Sequence, residues 1–158
     1  MTAQPDLTGM RIVVVEDDTV LANAICRDLR EVGATVLGPA PTPFYATQLI
    51  GRRKIDAAVL DLYLHGEAVF GVADLLLEQG VAILFLTSYE GEPIPARFRG
   101  CSVMVKPVEA EKLIGEIVAM TQRPKAHKIA ASMPAILSRQ APMQTFARAL
   151  ARGISSTN

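Results

Sequence analysis

Cysteine is scarce in this chain of 158 residues: Cys26 and Cys101 are the whole complement. Two thiols so far apart exclude a disulfide framework and a zinc site, and both read as small buried hydrophobes. Long apolar runs are missing too. The longest, Val81 to Leu86, falls far short of the roughly 18 residues that a membrane span needs. Met1 to Met10 has neither a basic leader nor an apolar stretch and carries Asp6, so no secretory signal is expected. The expectation is a soluble, cytoplasmic protein with no membrane attachment. What the chain does have is apolar content of 50% against 20% charged residues, enough to bury a core and too much for global disorder. At about 100 to 200 residues per domain, the length suits one ordinary domain with little left over.

The formal net charge of zero hides an asymmetry. Residues 1–120 hold ten Lys/Arg against sixteen Asp/Glu, whereas residues 121–158 hold six Lys/Arg and no acid. An acidic domain over 10–120 is therefore expected, followed by a basic tail over 121–158. Within the domain, short apolar runs alternate with helical patterns, as in a chain of βα units. Strands are expected at Ile12 to Val15, Thr35 to Leu37, Ala57 to Leu60, Ala82 to Leu86 and Val103 to Val105. Helices are expected at Thr19 to Val32, Pro43 to Arg53, Val69 to Gln79, more weakly around Ile94 to Phe98, and at Glu109 to Met120. Three central strands are apolar without alternation, which calls for a mainly parallel sheet covered by helices on both faces.

Ligands of such a sheet bind outside the carboxyl ends of the strands. Those ends carry Glu16, Asp17 and Asp18 after the first strand, Asp61 after the third, Thr87 and Ser88 after the fourth, and Lys106 and Pro107 after the fifth. Converging carboxylates repel one another unless a cation is present. Clustered oxygens with no His or Cys nearby suit Mg²⁺, which draws in phosphate oxygens. A lysine and a hydroxyl beside it could bind the same phosphoryl group while one carboxylate attacks, the equipment of phosphoryl transfer to an aspartate. Asp61, alone at the end of a central strand, is the best nucleophile.

Val-Val-Val-Glu16-Asp17-Asp18, Ala-Val-Leu-Asp61, Leu-Phe-Leu-Thr87-Ser88 and Val-Met-Val-Lys106-Pro107 together resemble the receiver domain of bacterial two-component response regulators. The resemblance implies a flavodoxin-like (βα)5 doubly wound sheet of strand order 2-1-3-4-5. It further implies that Asp61 is the phosphoacceptor, Asp17 a direct Mg²⁺ ligand, Glu16 a ligand mainly through water, and Tyr63 a donor of its backbone carbonyl. Thr87 and Lys106 would hold the phosphoryl group, with a cis bond between Lys106 and Pro107. The donor would be a histidine kinase or phosphotransfer protein and the output a downstream protein contact, with a homodimer possible and no direct DNA binding. Such a chain catalyses only its own phosphorylation and dephosphorylation. The alternatives are a phosphate sink without an output partner and a Mg²⁺-dependent phosphatase with an aspartate nucleophile. The latter needs Asp-x-Asp at the first strand end, where this chain has Glu16-Asp17-Asp18.

Departures narrow the resemblance. The stretch Leu62 to Glu67 has no proline, and the position of the usual aromatic switch is Val103. Tyr89, in Phe85-Leu86-Thr87-Ser88-Tyr89, is similar to the tyrosine of a Phe-Ala-Thr-Gly-Tyr variant found in single-domain receivers, and is the candidate substitute switch beside a plain packing role. Asp18 reads as a helix cap first and a metal-side group second. His65 invites a role as base or phosphocarrier, against the blander reading of a solvated loop histidine. Arg52, Arg53 and Lys54 end a helix, where cations complement the dipole. Arg97 and Arg99 are divided between structure and partner contact. In the tail, Ile129, Met133, Ile136, Leu137, Met143, Phe146 and Leu150 follow helical spacing interrupted by Pro134 and Pro142. Short helices that dock or pair, or a plain linker, both fit that spacing.

Overall fold

The computed structural model describes residues 4–123. Five parallel strands form the central sheet: β1 (Arg11–Val15), β2 (Thr35–Ala40), β3 (Ala57–Asp61), β6 (Ala82–Thr87) and β7 (Ser102–Val105), in the order β2-β1-β3-β6-β7. This is the expected flavodoxin-like order once an extra hairpin of β4 (Tyr63–Leu64) and β5 (Glu67–Ala68) is numbered along the chain. Four α-helices pack on the sheet: α1 (Thr19–Glu31), α2 (Pro43–Ile50), α3 (Phe70–Glu78) and α4 (Ala110–Gln122).

The pleat sorts alternate strand residues to opposite faces. Val13, Val15, Ala58, Leu60, Ile83 and Phe85 bury against α2 and α3, through Ala46, Ile50, Val72 and Leu76. Ile12, Val14, Ala57, Val59, Leu84 and Leu86 bury against α1 and α4, through Ile25, Leu29, Leu113 and Ile117. Covering both faces is why the central strands read as unbroken apolar runs. Cys26 lies in this core, whereas Cys101 is only half-buried, unlike the expectation for both.

Local chemistry sets the helix starts. Asp18 Oδ1 accepts the Leu21 N–H at 3.1 Å, and Thr42 Oγ1 accepts the Tyr45 N–H at 3.1 Å with Pro43 in the first turn; such caps contribute about 1 kcal/mol each. Helix α2 stops at Ile50 rather than Arg53 because Gly51 turns to φ 46°, while Arg53 Nη1 donates to the Leu49 carbonyl at 2.6 Å, a cationic finish to the helix.

Two expectations need correction. Strand β2 does not end at Leu37 but continues through Gly38 and Pro39 to Ala40, with a register shift opposite Val13 to Val15. Gly38 sits at φ 114°, and a Cβ there would lie 2.6 Å from the Val14 carbonyl oxygen, so only glycine allows that approach. The expected fourth helix is absent. The β6–β7 connection has one 3₁₀ turn, Ala96–Phe98, because Pro93 and Pro95 lack donors and disfavour helical geometry in the residues before them. Phe98 nevertheless fills the core, with ring centroids 5.7 Å from Phe70 and 5.5 Å from Phe85, in geometries that favour aromatic attraction. Arg97 clamps the turn to α3 through paired bonds to Asp74 at 2.6 and 3.0 Å. The tail from residue 124, with its expected helices or linker, lies outside the described residues; residues 121 and 122 belong to α4.

Candidate functional site

The strand ends meet at one edge of the sheet. Strand β1 runs into Glu16 and Asp17, β3 ends in Asp61, β6 ends in Thr87, and β7 delivers Lys106, whose N–H donates to the Thr87 carbonyl at 2.8 Å. Glu16, Asp61 and Thr87 are buried although polar. One carboxylate oxygen from each of Glu16, Asp17 and Asp61 lies within 4.8 Å of the others. The Lys106 ammonium donates to Asp61 Oδ2 at 2.9 Å and stands 3.1 Å from Glu16 Oε2. Lys106 and the three carboxylates, expected to act together, are thus brought together. The Lys106–Pro107 peptide bond is cis.

The electrostatics follow from crowding in a poorly solvated cleft. Burial, reinforced by the Asp61 charge, pushes the Glu16 carboxyl up to about 7 despite Lys106 and the Asp18 N–H. Burial opposes the charge of Lys106 as well, but Asp61 and Glu16 outweigh it and raise the ammonium above its usual value. Asp17 differs: burial raises it, yet the His65 N–H and neighbouring Glu16 and His65 hold it below the ordinary range. Glu16 Oε1 accepts the Asp18 N–H at 3.1 Å, while the buried Oε2 has the Lys106 ammonium 3.1 Å away as its ion-pair partner. One ammonium shared between two buried carboxylates, with Asp17 beside them, leaves negative charge uncompensated, a repulsion that a cation between the carboxylates would offset. The residues therefore fit a hard divalent ion such as Mg²⁺.

Thr87 Oγ1 accepts the Tyr89 N–H at 3.2 Å and lies 3.3 Å from the Tyr89 carbonyl, to which it donates. Tyr89 is 71% exposed and is not part of the acidic cluster. Tyr63 opens β4 two residues beyond Asp61; its side chain is exposed, and slight desolvation together with the Glu92 carboxylate raises its phenol. Asp18 caps α1, in keeping with its first reading.

The sequence reading missed the contact of His65 with the cluster. His65 and Gly66 make the two-residue turn of the β4–β5 hairpin, at φ 49° and 80°, the left-handed pair that such hairpins require. The turn brings the His65 N–H to Asp17 Oδ2 at 2.8 Å and Nδ1 to 3.6 Å from the same oxygen. The only sequence signal was a turn-prone His-Gly pair between short extended residues.

The fold is that of response-regulator receiver domains, with the acidic pocket at the carboxyl edge of its sheet. Neither family models nor curated proteins match the chain, but solved structures do. SdrG from Sphingomonas melonis Fr1 is 27% identical over 72% of this chain and 97% of its own, with a TM-score of 0.63. The REC domain of the Erythrobacter litoralis response regulator PhyR is 19% identical over 76% of this chain and 98% of its own, at a TM-score of 0.61. A mutant of the anti-anti-sigma factor PhyR from Bartonella quintana is 19% identical over 70% of this chain but only 47% of its own, at 0.59.

Proposed function

We propose that this chain is a phosphoacceptor receiver of a two-component phosphorelay, in which Asp61 takes a phosphoryl group from a histidine kinase or phosphotransfer protein. The observation that carries the proposal is the Asp61 carboxylate at the end of β3, bonded to Lys106 and within 4.8 Å of the Glu16 and Asp17 oxygens. Asp17, Asp61, the Tyr63 carbonyl and, through water, Glu16 would hold Mg²⁺, which supplies positive charge to the phosphoryl oxygens when bound. The Asp61 oxygen attacks phosphorus, the phosphorus–nitrogen bond to the donor imidazole breaks, and the imidazole leaves with its proton. Lys106 neutralises charge on the phosphoryl oxygens throughout.

Thr87 couples this event to the surface. Its hydroxyl is held by the Tyr89 backbone, so turning it toward the phosphoryl oxygens releases Tyr89 and reshapes the β6–β7 connection. The output is a phosphorylation-dependent protein contact, a reading supported by the likeness to PhyR, and the chain performs no other catalysis. Incubation with acetyl phosphate and Mg²⁺, followed by intact mass measurement, is expected to give one hydroxylamine-labile phosphoryl adduct that Asp61→Asn abolishes. No adduct, an adduct that survives that substitution, or turnover of unrelated phosphomonoesters would contradict the proposal.

A further inference from the structure

The segment that forms β2 and α2 differs from the rest of the domain in carrying no charge. Between Glu31 and Arg52 the chain has no Asp, Glu, Lys, Arg or His. Helix α2 turns Ala46 and Ile50 into the core and leaves Phe44, Tyr45, Thr47 and Gln48 exposed. Phe44 is 74% and Tyr45 51% exposed. A single exposed apolar side chain is ordinary, but consecutive aromatics on a face without charge match the composition of an interface core, which is depleted of charge and enriched in Phe and Tyr. Polar groups around that face are satisfied within the chain. Thr42 Oγ1 accepts the Tyr45 N–H at 3.1 Å, Thr47 Oγ1 donates to the Pro43 carbonyl at 3.0 Å, and Arg53 Nη1 donates to the Leu49 carbonyl. Covering the face therefore strands none of those groups. Beside it, β2 is the terminal strand of the sheet, and its outer edge pairs with no other described strand.

What covers this face follows from its lack of charge. In a two-fold dimer each patch meets its own copy, so a charge near the axis faces its like and weakens the contact. A face without charge avoids that repulsion. A foreign partner gains from opposite charge, which residues 1–120 offer elsewhere with sixteen acids against ten bases and which this face withholds. We infer that the outward face of α2, centred on Phe44 and Tyr45, is the contact between two copies of this chain related by a two-fold axis, with the edge of β2 at its margin. None of these residues belongs to the acidic site, so the contact stands or falls apart from the phosphorelay reading.

The test is sedimentation equilibrium of the full chain over a concentration series, without a phosphodonor. Wild type should dimerise reversibly with a dissociation constant below about 1 mM, and Phe44→Ala should weaken the dimer by about tenfold or more. Phe44→Glu and Phe44→Lys should each be monomeric, because like charges then meet across the axis. An equimolar mixture of those two variants should dimerise again, since opposite charges now face each other, a recovery that misfolded protein would not show. Val103→Glu, on the exposed face of β7, should dimerise as wild type does. A wild type that stays monomeric to about 1 mM, a dimer that survives Phe44→Glu, or one lost in Val103→Glu would overturn the inference. So would a mixture of the Glu and Lys variants that remains monomeric.

Discussion

Strands β3 and β7 belong to one parallel sheet, but they are packed very differently. Every residue of β3 is buried, whereas β7 alternates, with Val103 47% and Val105 41% exposed. The cause is the β6–β7 connection: it crosses the sheet edge as a loop with one 3₁₀ turn, so part of one face of β7 is uncovered. The acceptor carboxylate is thus mounted on the most rigidly packed strand, while Lys106 reaches it from a strand packed on one face. The difference teaches where this molecule can move. Covered strands fix the charge cluster, and the open margin is the part whose shape can follow the phosphoryl group.

The comparison breaks most visibly at Phe98, the main core anchor of the connection. Phe98→Ala should destabilise the fold by about 3 to 5 kcal/mol, measured by denaturant unfolding; a loss under about 1 kcal/mol would mean the connection is not anchored there. A matched pair sharpens the contrast between the strands. Val59→Ala in β3 should cost about 1.5 to 3 kcal/mol and Val103→Ala in β7 under about 0.5; equal losses would contradict the packing difference.

The pH dependence of the rigid side follows from Glu16, which faces Asp61, Lys106 and Asp17. Its folded value of about 7 stands above the usual 4.5, so the folded state binds the proton more tightly than the unfolded state. Without divalent ions, ionising it opposes folding, and stability falls as pH rises through that interval. Glu16→Gln should remove that slope, worth on the order of 1 to 3 kcal/mol. Parallel stability curves for the two proteins between about pH 5 and 8, taken in chelator, would refute this. A small effect is also expected at Arg97. Its pair with Asp74 is well exposed, so Arg97→Ala should cost at most about 1 kcal/mol by thermal unfolding, far less than Phe98→Ala next to it.

Much of the fold was legible because its signals are local. Unbroken apolar runs marked the doubly covered strands, Asp18 announced α1, and the polar residue after each run fell at the same sheet edge. The order of strands came from family resemblance rather than from periodicity. Strand β2 was cut short because Gly38-Pro39 reads as a stop, and its continuation depends on a tertiary approach to Val14 that sequence does not reveal. The fourth helix was overcalled at Ile94 to Phe98, where Phe98 buries as a core residue without a helix to carry it. The His65 contact was invisible for a different reason: its donor is a backbone N–H, 48 residues distant from Asp17 in sequence.

The central claim concerns one carboxyl group, and borohydride trapping reads it at a single position. Reduction of an aspartyl phosphate yields homoserine, which tandem mass spectrometry locates after treatment with acetyl phosphate and Mg²⁺. The account expects homoserine at position 61 and at no other aspartate, and none after Asp61→Asn. Homoserine at Asp17 or Asp18 in its place, or at no position, would contradict it.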